Sequence, residues 1–261
     1  MVVFVIGVIV LMILLGFLLF MVKEASENNV LFHEVQLDGE KEQVSLFFIS
    51  DVHLRKIDEQ MIQQIDRKIE AVVIGGDFAD KRTPIQRIYE NIELLKTLGP
   101  VYFIWGNNDR EVGEENLRKI FKETGVTIIE NDAVQLSFLR NRCWLSAIDD
   151  TSIENEQYEE AFEKCKEGEN VIFISHNPEV FSYVREYFKA DLMIGGHLHG
   201  GQIRFGPYGI HPHGSFSMRG GVATLISNGY GTTAFPLRFG AKPQCHIIDM
   251  QFEKKNYLGT K

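Results

Sequence analysis

The chain has 261 residues, of which 44% are hydrophobic and 24% are charged, and its 27 basic and 36 acidic side chains leave a formal net charge of −9. This composition excludes a disordered or collagen-like chain. The acidic balance and the absence of a basic run argue against binding of nucleic acid through its phosphate backbone. The three cysteines, Cys143, Cys165 and Cys245, form no C-x-x-C pair, so they indicate neither a disulfide framework nor a zinc knuckle.

The first 22 residues carry no charged side chain, and a membrane-spanning helix needs about 20 apolar residues. A cleaved secretory signal is the alternative, but it requires a basic n-region, an apolar core of about 7–15 residues and a small-x-small cleavage site. None of these features is clear, so the sequence favours an uncleaved, single-pass anchor in the cell membrane. Lys23 directly after the helix and the unpaired cysteines favour the cytoplasmic side for the rest of the chain.

Residues 23–43 are polar and predict a juxtamembrane linker, with one short strand at residues 30–37. The folded domain is expected over residues 44–261, which suits one α/β unit with a sizeable core. Five continuous apolar runs follow, and such runs are typical of strands buried on both faces. They are VSLFFIS, AVVIGG, VYFIWG, VIFIS and DLMIGG.

Helical patterns separate the apolar runs. The first helical stripe consists of Ile57, Met61, Ile65 and Ile69, and the second consists of Ile85, Ile88, Ile92 and Leu95. Thr83 is the expected N-cap of the second helix, with Pro84 at its first position and Gly99 beyond its end. Strands that alternate with helices predict a largely parallel sheet.

Each of the five apolar runs ends on side chains that can bind a metal ion. These are Asp51 and His53, Asp77, Asn107, His176, and His197 with His199. Each residue alone has an ordinary structural explanation as a turn, a cap or a core residue. Because ligands of open α/β sheets bind beyond the carboxyl ends of strands, the ordered set predicts one shared crevice. Oxygen and imidazole ligands without thiolate suit manganese, iron or zinc.

These residues resemble the ordered motifs of the calcineurin-like metallophosphoesterases, which are D-x-H, G-D-x-x-D, G-N-H-D or E, a lone H, and G-H-x-H. The matching segments are DVH at 51–53, GDFAD at 76–80, GNND at 106–109, His176 and GHLH at 196–199, and the resemblance spans about residues 44–250. The segments GHLHGGQ and SNGYGTTAFPLRFGAKPQ resemble the bacterial membrane-associated or exported branch of this family. The implied fold is a sandwich of two mixed β-sheets flanked by α-helices.

The resemblance also implies two divalent metal ions, which are manganese, iron or zinc, with manganese favoured. One ion would be held by Asp51, His53, Asp77 and His199, and the other by Asp77, Asn107, His176 and His197. Asp77 would then bridge the two ions, and Asp80 and Asp109 are expected to orient ligands. The implied reaction is hydrolysis of a phosphodiester, phosphomonoester or phosphoanhydride bond, with a metal-activated hydroxide attacking phosphorus in line.

Position 108 departs from the family pattern, because Asn108 stands where the family usually has the His that protonates the leaving group or stabilises the transition state. Asn has no proton to give, but its amide can donate a hydrogen bond to a phosphoryl oxygen. One hypothesis is therefore a preference for leaving groups of low pKa, such as phosphate. The other is that water, His211 or His213 supplies the proton.

The expected partners are a phosphorylated small molecule or a lipid, together with the membrane. Two alternatives are a weakly active or inactive binding platform at the membrane and an anchored protein phosphatase. Three arginines in glycine-rich loops, Arg204, Arg219 and Arg238, could reach a phosphate, and at most one is expected to do so. His33 and His246 have no partner pattern in the sequence and are expected to be surface or strand residues.

Overall fold

The computed structural model of the chain describes residues 1–254 and contains six α-helices and twelve β-strands within them. The helices are α1 (Val2–Ala25), α2 (Glu59–Gln63), α3 (Ile85–Lys96), α4 (Glu114–Thr124), α5 (Tyr158–Glu163) and α6 (Phe181–Tyr187). The strands are β1 (Val30–Asp38), β2 (Glu42–Ile49), β3 (Ala71–Gly75), β4 (Val101–Ile104), β5 (Thr127–Ile128), β6 (Asp132–Gln135), β7 (Cys143–Ala147), β8 (Asn170–Ile174), β9 (Leu192–Gly195), β10 (Ser215–Arg219), β11 (Val222–Ile226) and β12 (Cys245–Glu253).

The strands form two six-stranded sheets, with orders β1-β12-β2-β3-β4-β5 and β10-β11-β9-β8-β7-β6. Strands β2 to β5 are parallel to one another, as are β7, β8, β9 and β11. Antiparallel pairing of β12 with β2, β6 with β7 and β10 with β11 makes both sheets mixed. The five predicted buried strands are β2, β3, β4, β8 and β9, so the predicted fold class is confirmed.

Alternation along the strands places a separate apolar layer on each face of each sheet. Phe48 of β2 packs between the two sheets with Leu145 and Ile172 of the second sheet. Its neighbour Phe47 points to the opposite face, where it joins the apolar sides of α2, α3 and α4. A third cluster covers the outer face of the second sheet and includes Phe162 of α5. The result is a sandwich of two sheets between two layers of helices.

The first predicted helix is much shorter than its apolar stripe suggests. Asp58 caps it by accepting a hydrogen bond from the Met61 N–H at 2.8 Å, so Ile57 lies before the helix. Glu70 N–H already donates to Ser45 O of β2 at 2.9 Å. The chain must therefore leave the helix before residue 70, and Ile65 and Ile69 of the predicted stripe lie outside it.

The second predicted helix is confirmed, but its start is shifted by one residue. Pro84 occupies the N-cap position and the helix begins at Ile85. Thr83, which was the expected N-cap, instead accepts a hydrogen bond from the Asp80 N–H at 3.0 Å. Its hydroxyl therefore stabilises the loop after β3, where a predicted site residue lies.

Strand β1 pairs with β12 in parallel along its whole length, from Val30 with Cys245 to Asp38 with Glu253. The strand expected within the linker is thus an edge strand of the first sheet. His33 of β1 and His246 of β12 are diagonal neighbours in this pairing, with Nε2 of His33 3.0 Å from Nδ1 of His246. Both are strand residues, as expected, and their contact joins residues 213 positions apart, so it follows only from the sheet order.

Helix α1 is long and apolar enough to cross a membrane, by length and composition, and a signal sequence near the N-terminus passes the same test. Its last two turns contact the domain. Arg238 N–H donates to Met21 O at 3.1 Å, and Gly240 N–H donates to Glu24 Oε1 at 2.7 Å. The ring of Phe17 lies 5.1 Å from that of Phe239. The helix therefore leaves the domain beside the loop of residues 232–241.

Candidate metal centre

The loops after β2, β3, β4, β8 and β9 carry all seven predicted metal ligands, and both sheets present these loops at the same edge. Five of the seven have a positive φ, between 48° and 69°; they are Asp51, His53, Asp77, His197 and His199. Such backbone is uncommon for residues other than glycine and costs of order 1–3 kcal/mol per residue. Backbone strain of this kind is typical of functional sites, and here it falls on five of the predicted ligands.

One group of ligand atoms consists of Asp51, His53 and His199, all of them buried. Asp51 Oδ1 lies 3.2 Å from His199 Nε2, and His53 Nε2 lies 3.3 Å from the same nitrogen. Three donor atoms at these distances can surround one cation. These three residues belong to the ligand set predicted for the first metal ion.

A second group consists of Asp51, Asp77 and His176, again all buried. His176 Nε2 lies 3.4 Å from Asp77 Oδ2 and 3.2 Å from His197 Nδ1. Asp77 Oδ2 is also 3.8 Å from His53 Nε2, so this carboxylate faces both groups. The position of Asp77 is that expected of a residue shared by two ions, and Asp51 lies similarly, between His199 and His176.

Asn107 offers a further test of whether a cation fits. Its Oδ1 atom is buried and has no hydrogen-bond partner among the described residues, while its Nδ2 donates to Asn108 Oδ1 at 3.1 Å. A buried carbonyl oxygen without a partner is costly, and a cation would satisfy it. Together with the buried carboxylates and imidazoles, this oxygen makes a donor set that fits two divalent ions.

The charges in the site influence one another strongly. Burial acts to raise the pKa of Asp51, but interactions with His199, His176 and His53 outweigh it and lower this pKa. Burial opposes protonation of His176, yet Asp77 and Asp51 raise its pKa to about 10. Burial and the neighbouring Asp77 raise the pKa of Asp109 to about 7. Closely spaced buried carboxylates therefore make this a place that attracts positive charge.

Asp80 and Asp109 each contact a predicted ligand, Asp80 at a side chain and Asp109 at the backbone. Asp80 Oδ2 lies 3.4 Å from His53 Nδ1 and accepts a hydrogen bond from Arg82 Nη2 at 2.6 Å. Asp109 accepts from the backbone N–H groups of Asp77, at 2.8 Å, and Gly106, at 2.7 Å. Asp80 thus faces a ligand ring, whereas Asp109 holds the backbone that carries Asp77.

Glycines let the backbone approach Asp51 and Asp77 closely. A Cβ added to Gly229, which has φ +71°, would lie 2.6 Å from the Cβ of Asp51, and one added to Gly106 would overlap Asp77 N. Gly231 N–H donates to Asp51 O at 2.7 Å. The pair Asn228-Gly229 therefore lies in a loop that closes over a predicted ligand, a role that its residue types alone do not indicate.

The loop arginines have structural partners. Arg238 is fully buried and donates to carbonyl oxygens that include Asn228 O at 2.7 Å and His199 O at 3.2 Å. Arg204 is buried as well, and it donates to Gly200 O at 2.8 Å. Arg219 ends the strand β10 and is exposed. The first two arginines hold the loops around the site together.

A cavity of about 250 Å³ opens beside the predicted ligands. It is lined by His53, Asp80, Lys81, Arg82, Asn108, Glu111, Thr233 and Ala234. Arg82 contributes positive charge to this cavity. It is not among the predicted site residues, although it follows the GDFAD segment by two residues. His213, one of the alternative proton donors, is not among the residues that line this cavity, and its Nε2 lies 3.2 Å from Asn228 Nδ2.

The chain is similar in sequence to proteins of a known family. The family model of calcineurin-like phosphoesterases matches residues 44–201. Protein YpbG of Bacillus subtilis (strain 168) is 41% identical over 212 residues, which cover 80% of this chain and 82% of that protein. Phosphodiesterase YaeI of Escherichia coli (strain K12) is 24% identical over 224 residues, which cover 78% of this chain and 81% of that protein.

Among solved structures, the 5'-nucleotidase precursor from Thermus thermophilus matches with a TM-score of 0.48 and 11% identity, over 80% of this chain and 55% of that chain. The family match and the sequence relatives define the class of protein as a metal-dependent phosphoesterase. The chain belongs to the calcineurin-like phosphoesterase family, whose members depend on two metal ions.

Proposed function

We propose that this protein is a membrane-anchored phosphohydrolase that uses two metal ions to hydrolyse a phosphodiester, phosphomonoester or phosphoanhydride bond. One observation supports the proposal most strongly. Two groups of buried ligand atoms lie together at the carboxyl ends of strands from both sheets. Asp51, His53, Asp77 and His199 would hold one ion, and Asp77, Asn107, His176 and His197 the other. Oxygen and imidazole ligands without thiolate suit the hard-to-borderline divalent metals manganese, iron and zinc, of which manganese is favoured.

The bound cations would polarise a phosphoryl oxygen and lower the pKa of water at the site. The protein's own residues position these groups. Asp80 holds the ring of His53 from behind, and Asp109 fixes the backbone of Asp77. Asn108 N–H donates to Asp77 Oδ1 at 2.7 Å, and its side-chain oxygen accepts from Asn107. The side-chain nitrogen of Asn108 can then donate to a phosphoryl oxygen in the cavity beside it.

In the test, metal is removed from the detergent-solubilised, full-length protein, and Mn²⁺ is then added back. Hydrolysis of a phosphoanhydride and of an alkyl phosphate is measured. We expect metal-dependent turnover, with a phosphoanhydride preferred over an alkyl phosphate, because general acid catalysis is worth about 10²–10⁴-fold and matters most for a basic leaving group. Asn108→His should narrow this preference by about tenfold or more if position 108 lacks the proton donor.

Two results would contradict these statements separately. An unchanged anhydride-to-ester ratio in Asn108→His would show that water or another group supplies the proton. A protein that binds neither metal ion nor any of these substrates would instead favour the membrane platform. A phosphopeptide panel, run under the same conditions, separates a protein phosphatase from an enzyme for small phosphate compounds.

We also propose a division into a transmembrane anchor (1–22), a juxtamembrane segment (23–43) whose strand β1 adds to the first sheet, and the phosphoesterase domain (44–261), with the domain on the cytoplasmic side. Lys23 in the last turn of α1, at the end of its apolar stretch, and the three free cysteines support this orientation. Protease added to intact cells from which any outer wall has been removed should leave the domain whole. Cleavage of the domain before the cells are ruptured would place it outside.

A further inference from the structure

A groove of about 320 Å³ lies between the end of α1 and the loops of the phosphoesterase domain. Its apolar lining residues are Val22 and Ala25 of α1 with Leu54, Ala234 and Pro236 of the domain. Its lining also includes four basic residues, Arg55, Lys56, Arg82 and Arg87. The groove thus combines apolar walls with positive charge at the point where the helix leaves the domain.

The groove adjoins the cavity of the metal centre. Arg82 and Ala234 line both spaces, and the second space is also lined by His53 and Asn108. Arg82 is held at this junction by Asp80 and by donation to Ala234 O at 2.8 Å. A single ligand could therefore extend from the end of α1 to the predicted metal ligands.

The positive charge of the groove stands out in a chain with a net charge of −9. Glu90 lies 3.4 Å from Lys56 and 3.9 Å from Arg87, so one carboxylate serves two cations. Arg55 donates to neutral backbone oxygens, among them Ser26 O at 2.8 Å and Tyr230 O at 2.6 Å. These pairings leave net positive charge, which complements an anionic phosphate group.

The loops around the groove also expose large apolar side chains on the side of α1. Phe235 is 71% exposed and Phe205 is 62% exposed. The ring of Phe205 lies 4.9 Å from Phe239, which in turn contacts Phe17 of α1. Apolar surface is therefore continuous from the helix to these loops, as expected of a face that touches a bilayer.

We infer that the substrate is a phosphate-bearing lipid, whose alkyl chain lies in the groove of Val22, Ala25 and Leu54 while its phosphate reaches the metal centre. This inference rests on the proposed function and names its substrate class. The apolar walls exclude water from the chain, and the basic residues select an anionic head group. The helix keeps the mouth of the groove at the bilayer surface, where such a lipid is found.

The experiment compares two substrates with one reacting bond in the metal-loaded, full-length protein reconstituted in phosphatidylcholine vesicles. The substrates are p-nitrophenyl hexadecyl phosphate and p-nitrophenyl methyl phosphate. In both, water adds to phosphorus and the bond to the aryl oxygen breaks, which yields an alkyl phosphate, p-nitrophenolate and a proton. We expect kcat/KM to be higher for the long chain by about tenfold or more, the gain from burial of about two methylene groups.

The anchor alone brings the enzyme to a vesicle that contains the long-chain substrate, and this proximity could raise kcat/KM without any binding in the groove. Variants of groove residues therefore distinguish the two causes. Leu54→Glu places a negative charge in the groove and should lower the long-to-short ratio of kcat/KM by about tenfold, the loss of about two buried methylene groups. The matched control is Phe138→Glu, since Phe138 is 41% exposed against 42% for Leu54 and lies between β6 and β7, away from the groove. This control should keep the wild-type ratio.

Lys56→Glu, at a more exposed position of the rim, should lower the ratio in the same direction and decides the question if Leu54→Glu is inactive on both substrates. An unchanged ratio in the groove variants, or equal use of both substrates by the wild type, overturns the lipid inference and leaves the proposed function standing. Turnover of a phosphoanhydride or an alkyl phosphate without turnover of either diester also overturns the lipid inference alone. Failure of the metal-loaded wild type on all of these substrates overturns the proposed function itself.

Discussion

Asp77→Asn should lower kcat by more than about 100-fold, since loss of a residue that merely supports a metal ligand already costs about 10–100-fold. It should also reduce the bound metal from two ions to fewer than one. The physical reason is the position of Asp77 Oδ2, which faces His53 at 3.8 Å and His176 at 3.4 Å and would contribute charge to both ions. Metal content by plasma mass spectrometry, measured with turnover on the same sample, checks both numbers.

Two comparisons sharpen this prediction. Asp51→Asn should retain one ion if only Asp77 bridges, whereas equal loss in both variants would assign the bridging role to both carboxylates. Asp66→Asn, at a side chain that is 90% exposed, is the control and should keep two ions. The metal-free Asp77→Asn protein should keep the circular dichroism spectrum of the metal-free wild type, although it should unfold at a somewhat lower temperature, because it loses the attraction to His176 that lowers the pKa of the Asp77 carboxyl. A changed spectrum would point to a folding defect instead.

Gly106→Ala should damage activity and stability together. The added Cβ would overlap the backbone nitrogen and Oδ1 of Asp77, so the loop after β4 or the loop after β3 must move. Overpacking of a buried site costs about 1–3 kcal/mol in the free energy of unfolding. A shift of a reacting group by about 1 Å can cost about 100-fold in rate. Urea unfolding and kcat, measured with metal present, give the two effects.

Gly125→Ala is the control for this substitution. Gly125 ends α4 with φ +74° and has open space around its Cβ position, so alanine there adds only backbone strain. That strain is worth roughly 1–2 kcal/mol. It should leave kcat unchanged because Gly125 lies at the opposite end of α4 from the site loops. Full activity of Gly106→Ala would mean that Asp77 has room to move without loss of function.

The sequence could place the candidate metal ligands at one edge of the fold because they follow buried strands. A run such as VYFIWG predicts a strand by its composition alone, and the polar residue after it marks the carboxyl end. Parallel strands put these ends at one edge, so Asp51 and His199 could be expected to meet although they lie far apart in the chain. The contact of 3.2 Å between them agrees with that expectation.

What the sequence could not predict depends on contacts between distant segments. The apolar stripe from Ile57 to Ile69 fits a helix, but backbone pairing of Glu70 with β2 ends that helix early. His33 and His246 become partners only because β12 inserts beside β1. The roles of Arg82 and Gly229 likewise depend on which loop lies opposite each of them, and the residue type alone does not predict that loop.

The placement of β12 between β1 and β2 has a consequence for how the chain is made. Strand β1 follows α1, yet its hydrogen-bonding neighbour is β12, which ends at Glu253. During synthesis from the N-terminus, β1 must stay unpaired until β12 has left the ribosome. The first sheet therefore closes last at its β1 edge, and pairing between segments so far apart in the chain makes that closure a slow step of folding.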